Sequence, residues 1–129
     1  MAPVTKLANA VASFLLLPTL TACAGGTMKP SYAKTDVQPV EVQRLDPDRV
    51  LMRFHVPPES MYFASGVNYE IDGDALRIVI DRCAVDGSCA TMVKRATPLP
   101  ENRVGEVVIP FQGRKVKVIY SDQEDNLDL

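Results

Sequence analysis

Very few side chains of this chain have the chemistry of a nucleophile or a metal ligand. Its 129 residues contain three cysteines and a single histidine, His55. A Ser/His/Asp site needs a histidine held by a carboxylate beside a nucleophile, whereas His55 lies in an alternating segment followed by two prolines. Met52, His55 and Met61 would suit copper by type, but a period of two places Met52 and His55 on opposite faces of one strand. The sequence therefore predicts no catalytic set, no metal site and no cofactor.

The first cysteine, Cys23, stands at the end of an apolar leader. Lys6 precedes a run of almost only apolar or small residues from position 7 to position 17, and small residues follow before Cys23. These are the charged, apolar and small-residue regions of a secretory signal. The run is shorter than the roughly 20 apolar residues that a membrane-spanning helix needs. Residues 1–22 are therefore predicted to be a signal peptide and not a permanent span.

The residues at the end of this leader resemble the lipobox of bacterial lipoproteins. Leu20-Thr21-Ala22-Cys23 has its leucine, its two small residues and its obligatory cysteine, although the leader has one basic residue where two are commoner. The resemblance covers the leader alone. It implies cleavage before Cys23, a diacylglyceryl group on its sulfur and an acyl chain such as palmitate on the new amino terminus. Ala24, in place of an aspartate, implies an outer-membrane anchor facing the periplasm. An ordinary cleavable signal is the alternative.

The other two cysteines, Cys83 and Cys89, have the spacing of a disulfide across a hairpin. A three-residue loop with Gly87 in the left-handed conformation would place Cys83 opposite Cys89, where β-carbons of paired strands are within bonding range. A two-residue turn would instead place Cys83 opposite Ala90. A metal site would need further ligands, and redox couples typically use a C-x-x-C spacing. A structural disulfide is predicted, in keeping with an oxidising periplasm.

Hydrophobic alternation with a period of two dominates the middle of the chain. Four segments place apolar side chains on one face, as half-buried strands do. Those side chains are Val50, Met52, Phe54, Val56, Leu76, Ile78, Ile80, Val107, Ile109, Phe111, Val116, Val118 and Tyr120. Pro110 restricts its strand to an edge or a bulge. Asp72-Gly73 has strong hairpin chemistry and Gln112-Gly113 a weaker form of it. The sequence predicts an all-β fold, a small antiparallel sandwich or barrel built of hairpins.

The composition changes on both sides of these strands. Residues 24–38 contain glycine, proline and small polar residues without a period, so residues 23–38 are predicted to be a lipidated flexible tether. A first strand with a weak pattern is the alternative. The β domain is predicted over residues 39–121. The last nine residues, 121–129, hold four carboxylates and no basic side chain, which predicts an acidic, solvated tail over 122–129. An acidic loop that binds a partner is the alternative there.

One short stretch, "SGVNYEIDG" from Ser65 to Gly73, is similar to the S-G-x-x-Y segment of membrane-bound lysozyme inhibitors, which are small disulfide-bearing β-barrel lipoproteins. The resemblance implies that Ser65, Gly66 and Tyr69 lie at the surface and meet the active-site cleft of lysozyme. The chain departs from that family soon afterwards, because "ALRIVIDRC" lacks the tryptophan and the lysine-glycine element that follow there. Without the resemblance, the same residues predict the start of a strand with Tyr69 in the core.

The predicted function combines the anchor with the β domain. A formal net charge of −2 gives no basic face for nucleic acid. The sequence predicts a non-catalytic, membrane-anchored periplasmic lipoprotein whose β domain binds an envelope protein or supports an assembly. Its expected partners are the bacterial membrane, through the lipid, and that envelope protein. A lysozyme inhibitor and a periplasmic metal-binding protein are the alternatives.

Overall fold

The structure is a computed structural model that describes residues 28–129. The predicted signal peptide, Cys23 and the first part of the predicted tether lie outside the described residues. Within them the chain forms one short helix and eight strands. These are α1 (Lys34–Val37), β1 (Glu41–Asp46), β2 (Arg49–His55), β3 (Tyr62–Asp72), β4 (Ala75–Ala84), β5 (Val93–Lys94), β6 (Val104–Pro110), β7 (Lys115–Ile119) and β8 (Glu124–Asp128).

The strands form two sheets that share one hydrophobic core. The three-stranded sheet has the order β1-β2-β6, and the five-stranded sheet has the order β5-β3-β4-β7-β8. The segment at β5 joins the sheets along one side, because the Arg95 N–H donates to the Ser65 carbonyl of β3 and the Ala96 N–H donates to the Glu106 carbonyl of β6. The predicted all-β architecture is confirmed as a small sandwich.

The predicted period of two identifies the inner faces of both sheets. Val50, Met52 and Phe54 of β2 are completely buried, whereas the intervening Leu51 and Arg53 are only partly covered. The predicted inward-facing residues of β4, β6 and β7 are also buried. Neighbours along a strand point to opposite faces, so the apolar alternation selects the core face of each strand. The predicted core is confirmed.

The strand connections are confirmed only in part. Asp72 pairs with Ala75 around a two-residue turn in which Gly73 has a φ of 65°, so the predicted hairpin exists, one residue later than expected. Pro110 ends β6 at the edge of its sheet, as predicted.

The predicted hairpin at Gln112-Gly113 is wrong. This segment carries the chain from β6 in one sheet to β7 in the other, where β7 runs parallel to β4. The Phe111 side chain is buried in the core, and its N–H donates to the carbonyl of Asp48 at 2.9 Å. With this ring buried, the chain crosses the end of the sandwich from one sheet to the other. Because β7 then pairs parallel to β4, the five-stranded sheet contains both parallel and antiparallel pairs.

The predicted boundary between tether and domain at residue 38 is also wrong, because part of the predicted tether packs into the domain. Tyr32, which precedes α1, and Val37, the last residue of α1, are buried in the core. The Tyr32 carbonyl accepts a hydrogen bond from the Ser121 N–H, and the Lys34 N–H donates to Asp122. Burial of these two side chains and the two hydrogen bonds together fix this polar, proline-containing segment to the domain.

The predicted acidic tail over 122–129 is wrong as well, because residues 124–128 form β8. This strand pairs antiparallel with β7 in continuous register from Lys115–Asp128 to Ile119–Glu124. Leu127 and Leu129 pack against the core, while Lys34 and Lys117 face Asp125 and Glu124 at 2.8 and 3.4 Å. Acidic side chains are accommodated because β8 is an edge strand with a solvated side.

The long strand β3 defines two opposite ends of the sandwich. From its first to its last Cα, this strand of 11 residues extends over about 33 Å, at about 3.3 Å for each step between residues. We call the end that contains Tyr32, Tyr62 and Arg82 the proximal end, because the described chain enters the domain there. The distal end contains Ile71 and the Gly73 turn.

Candidate functional site

The structure does not place the predicted partner-binding residues together on an exposed surface. Ser65 retains 9% of its accessible surface, and Gly66 is buried beneath β5. A Cβ on Gly66 would lie 2.0 Å from the Val93 carbonyl oxygen, so β5 packs directly on this backbone. Tyr69 is half-buried and packs against the core. The expectation that Ser65 and Gly66 lie exposed at the surface is wrong, because β5 and the loop before it cover them.

Ser65 instead belongs to a hydrogen-bonded network below an open cavity. Its hydroxyl lies 2.6 Å from the Thr91 hydroxyl, which donates to the Asp81 carboxylate at 2.7 Å. The cavity, of about 530 Å³, is lined by further hydroxyl and cationic side chains, including Lys94, and by the disulfide. The two hydroxyls and the carboxylate satisfy one another, so their evident role is to fasten the loop before β5 to β3 and β4.

The predicted disulfide between Cys83 and Cys89 is present, with Cα atoms 5.9 Å apart. A turn over residues 85–87 follows β4, closed by a hydrogen bond from the Gly87 N–H to the Ala84 carbonyl. Two details differ from the prediction: Gly87 does not have a positive φ, and Cys89 lies outside any strand. Here the disulfide and the hydrogen bonds of Thr91, and not strand pairing, hold the returning segment.

Removing this disulfide is expected to lower the free energy of unfolding by about 2 kcal/mol, because the bond closes a short loop in the unfolded chain. Denaturant unfolding of the Cys83→Ala/Cys89→Ala variant measures the loss. The reduced wild-type protein is the matched control and should unfold at the same denaturant concentration as the variant. Equal stability of the oxidised and reduced proteins would contradict the stabilising role.

The single histidine lies apart from the other candidate groups. His55 ends β2 and pairs with Val104 of β6, whereas Met52 is buried on the opposite face of β2. Across residues 28–129, no three His, Cys, Asp or Glu side chains are grouped in a way that could hold a metal ion.

A network of aromatic and charged side chains is built at the proximal end. The Tyr32 hydroxyl donates to Glu59 Oε2 at 2.6 Å, and Arg82 Nε donates to Glu59 Oε1 at 2.7 Å. The Arg82 guanidinium also lies over the rings of Tyr62 and Tyr32, 4.0 and 5.8 Å from their centroids. Burial, followed by the hydrogen bond to Glu59, raises the pKa of Tyr32 above its usual range. These contacts fix the first described segment of the chain to β4.

Exposed apolar side chains adjoin this network. Met61, Tyr62 and Val85 retain 66%, 40% and 58% of their accessible surface. They are neighbours, because Tyr62 pairs with Ala84 and the Val85 N–H donates to the Met61 carbonyl. We call Met61, Tyr62 and Val85 the proximal patch.

A second apolar feature lies at the distal end. An open cleft of about 520 Å³ lies between the Gly73 turn and residues 110–113. Ile71, which is 55% exposed, and the edge of Phe111 contribute its apolar surface. We call this feature the distal cleft.

One arginine holds the loops around the distal cleft in place. Arg44 of β1 donates to the Phe111 carbonyl at 2.6 Å and to the carbonyl of Gly113, and more weakly to the Asp46 and Pro47 carbonyls at 3.4 Å. The N–H groups of one guanidinium therefore connect the β1–β2 turn to the crossover after β6. These contacts hold the crossover side of the cleft against the β1–β2 turn.

Comparison with protein-family models, with curated proteins and with solved structures found no match to this chain. None of the helical residues within 28–129 belongs to a segment long and apolar enough to cross a membrane.

The sequence did not predict the residues that form the network at the proximal end of the sandwich or those that hold the loops of the distal cleft. Arg44, Glu59 and Arg82 stand among ordinary surface charges, and nothing in their local spacing distinguishes them from solvated side chains. Tyr32 was the one available signal, since an isolated aromatic residue in a polar segment commonly needs a place to be buried.

Proposed function

We propose that this protein is a lipoprotein of the bacterial envelope that is anchored through Cys23 and binds an envelope protein through its distal cleft, without catalysing a reaction. The observation that supports the proposal is the position at which the chain enters the domain. Tyr32 follows Cys23 by nine positions and is buried at the proximal end. A lipid on Cys23 would therefore hold the proximal end near the membrane and direct the distal end away from it.

The distal cleft has the properties that a protein-binding surface needs. Specific interfaces centre on a desolvated apolar contact surrounded by polar groups. Ile71 offers exposed apolar surface, and Asp48 and Gln112, hydrogen-bonded to each other at 2.8 Å, form part of the rim. The loops held by Arg44 would lose little conformational freedom on binding, which favours affinity. The partner expected from this surface is a periplasm-facing protein that inserts an apolar side chain.

The anchor is tested by the mass of the mature amino terminus and by the Cys23→Ser variant. Mass analysis should show a polypeptide that begins at Cys23 and carries acyl chains. Two or more chains give firm membrane attachment, so the Cys23→Ser variant should move from the membrane fraction to the soluble fraction. A mature polypeptide that begins upstream of Cys23, or a serine variant that stays on the membrane, would contradict the anchor.

The binding surface is tested by crosslinking in intact envelopes with two matched variants. Ile71→Asp places a charge in the distal cleft, and Met61→Asp places the same charge at the other end of β3. Burying an unpaired charge in an interface is strongly unfavourable, so we expect Ile71→Asp to reduce capture of the partner at least tenfold and Met61→Asp to leave it unchanged. Equal capture by Ile71→Asp and wild type, or no reproducible crosslinked protein, would contradict the proposal.

A further inference from the structure

We propose that the proximal patch of Met61, Tyr62 and Val85 rests on the headgroup region of the membrane that holds the lipid anchor. This inference rests on the proposed function, because it requires the acylated Cys23. It adds an orientation to the anchor, since the domain would stand on the bilayer by a defined surface and not move freely at the end of its tether.

The length of chain between the anchor and the domain supports this contact. Tyr32 lies nine positions after Cys23, and nine extended residues span at most about 30 Å. The patch is close to Tyr32, because Arg82 contacts the rings of both Tyr32 and Tyr62. A short connection keeps the patch at a high effective concentration at the bilayer surface.

The chemistry of the patch fits a lipid headgroup boundary. Tyrosine is enriched at membrane interfaces because its ring is apolar and its hydroxyl is hydrated. Met61 and Val85 add flexible and branched apolar surface beside it. Arg82 is paired with Glu59 at 2.7 Å, so the arginine charge would not have to leave water alone. Further charged side chains near this end are Lys29, Asp36, Asp86 and Asp122, and all four are exposed.

The small size of the patch makes the anchor necessary. Three partly exposed side chains offer little apolar area, and a protein without the lipid would dissociate from the surface. The inference therefore predicts contact of the patch in the acylated protein and none in the Cys23→Ser protein at the same lipid concentration.

Methionine oxidation tests the contact with an internal reference. The acylated full-length protein is placed on vesicles of phosphatidylethanolamine and phosphatidylglycerol, treated with hydrogen peroxide and examined by peptide mass spectrometry. We expect Met61 to oxidise at least threefold more slowly than in the Cys23→Ser protein mixed with the same vesicles. Met92, which is 38% exposed and lies beside Tyr69 near the middle of β3, should oxidise equally in both.

Fluorescence gives a second measurement with a matched control. The chain has no tryptophan, so Tyr62→Trp and Ile71→Trp each introduce a single fluorophore at opposite ends of β3. Brominated lipids should quench the acylated Tyr62→Trp protein by at least half and leave the acylated Ile71→Trp protein unchanged.

The outcomes separate this inference from the function on which it rests. A protein that lacks the acyl mass and does not float with vesicles would contradict the anchor itself. An acylated protein that floats, yet shows unprotected Met61 and equal quenching at both positions, would overturn the orientation alone. Protection that rises with the density of protein on the vesicle would indicate a second copy on the patch and would also overturn it.

Discussion

Replacing Gly66 by alanine is expected to lower the free energy of unfolding by about 3 kcal/mol or more. The new Cβ would lie 2.0 Å from the Val93 carbonyl oxygen and 2.8 Å from the Lys94 Cα, and these are backbone atoms that cannot turn aside. Gly66 also has a φ of 154°, which side-chain-bearing residues rarely adopt. Overpacking and backbone strain each contribute about 1–3 kcal/mol. Denaturant unfolding of the purified variant measures the loss.

Gly87→Ala is the matched control for this substitution. Gly87 has no positive φ, and the nearest atom to its added Cβ would be the Ala84 Cβ at an ordinary 3.5 Å. Its stability should stay within about 0.5 kcal/mol of wild type. If Gly66→Ala were as stable as Gly87→Ala, β5 could not pack on β3 as described, and Ser65 and Gly66 would again be available to a partner.

Deleting residues 124–129 is expected to destabilise the domain by about 3 kcal/mol or more. The deletion removes β8, and with it the ladder to β7 and the packing of Leu127 and Leu129. Net contributions of about 1 kcal/mol for each hydrogen bond and similar amounts for partly buried leucines support this magnitude. Thermal unfolding should show a melting temperature lower by more than about 10 °C. A solvated acidic tail would predict no change.

The control for the deletion removes charge and keeps the strand. Glu124 and Asp128 face Lys117 and Arg114 at 3.4 and 3.7 Å in exposed positions. Such surface pairs contribute less than about 1 kcal/mol, so Glu124→Gln/Asp128→Asn should remain close to wild type. A large loss in this double variant would assign the stability of the segment to its charges and contradict its role as a strand.

Under the proposed function, the two ends of the sandwich would allow one small domain to be anchored at one end and to bind a partner at the other. If the proximal patch faces the bilayer, the distal cleft would stand about 33 Å above it, by the length of β3. Met61→Asp and Ile71→Asp then serve as reciprocal tests, since each should disturb one contact and leave the other intact.

The strands and their core faces could be predicted from local sequence. Alternation of apolar and polar residues assigns each side chain of a strand to one face, and this pattern is independent of the rest of the fold. The disulfide between Cys83 and Cys89 could also be predicted from local sequence. Its reason is different: a loop of only a few residues has few conformations, so the two cysteines stay close together.

The tertiary structure alone decided how the segments combine. Nothing local to Gln112-Gly113 indicates that Phe111 is buried and that the chain crosses between sheets. Nothing in the acidic sequence of β8 indicates that this segment pairs with β7 as a strand. The exposure of Ser65 was likewise decided by β5, which pairs Lys94 with Gly66 and Val93 with Val67 across a long stretch of chain. Periodicity reports the face on which a side chain lies, whereas pairing and covering depend on long-range contacts that no short stretch of sequence contains.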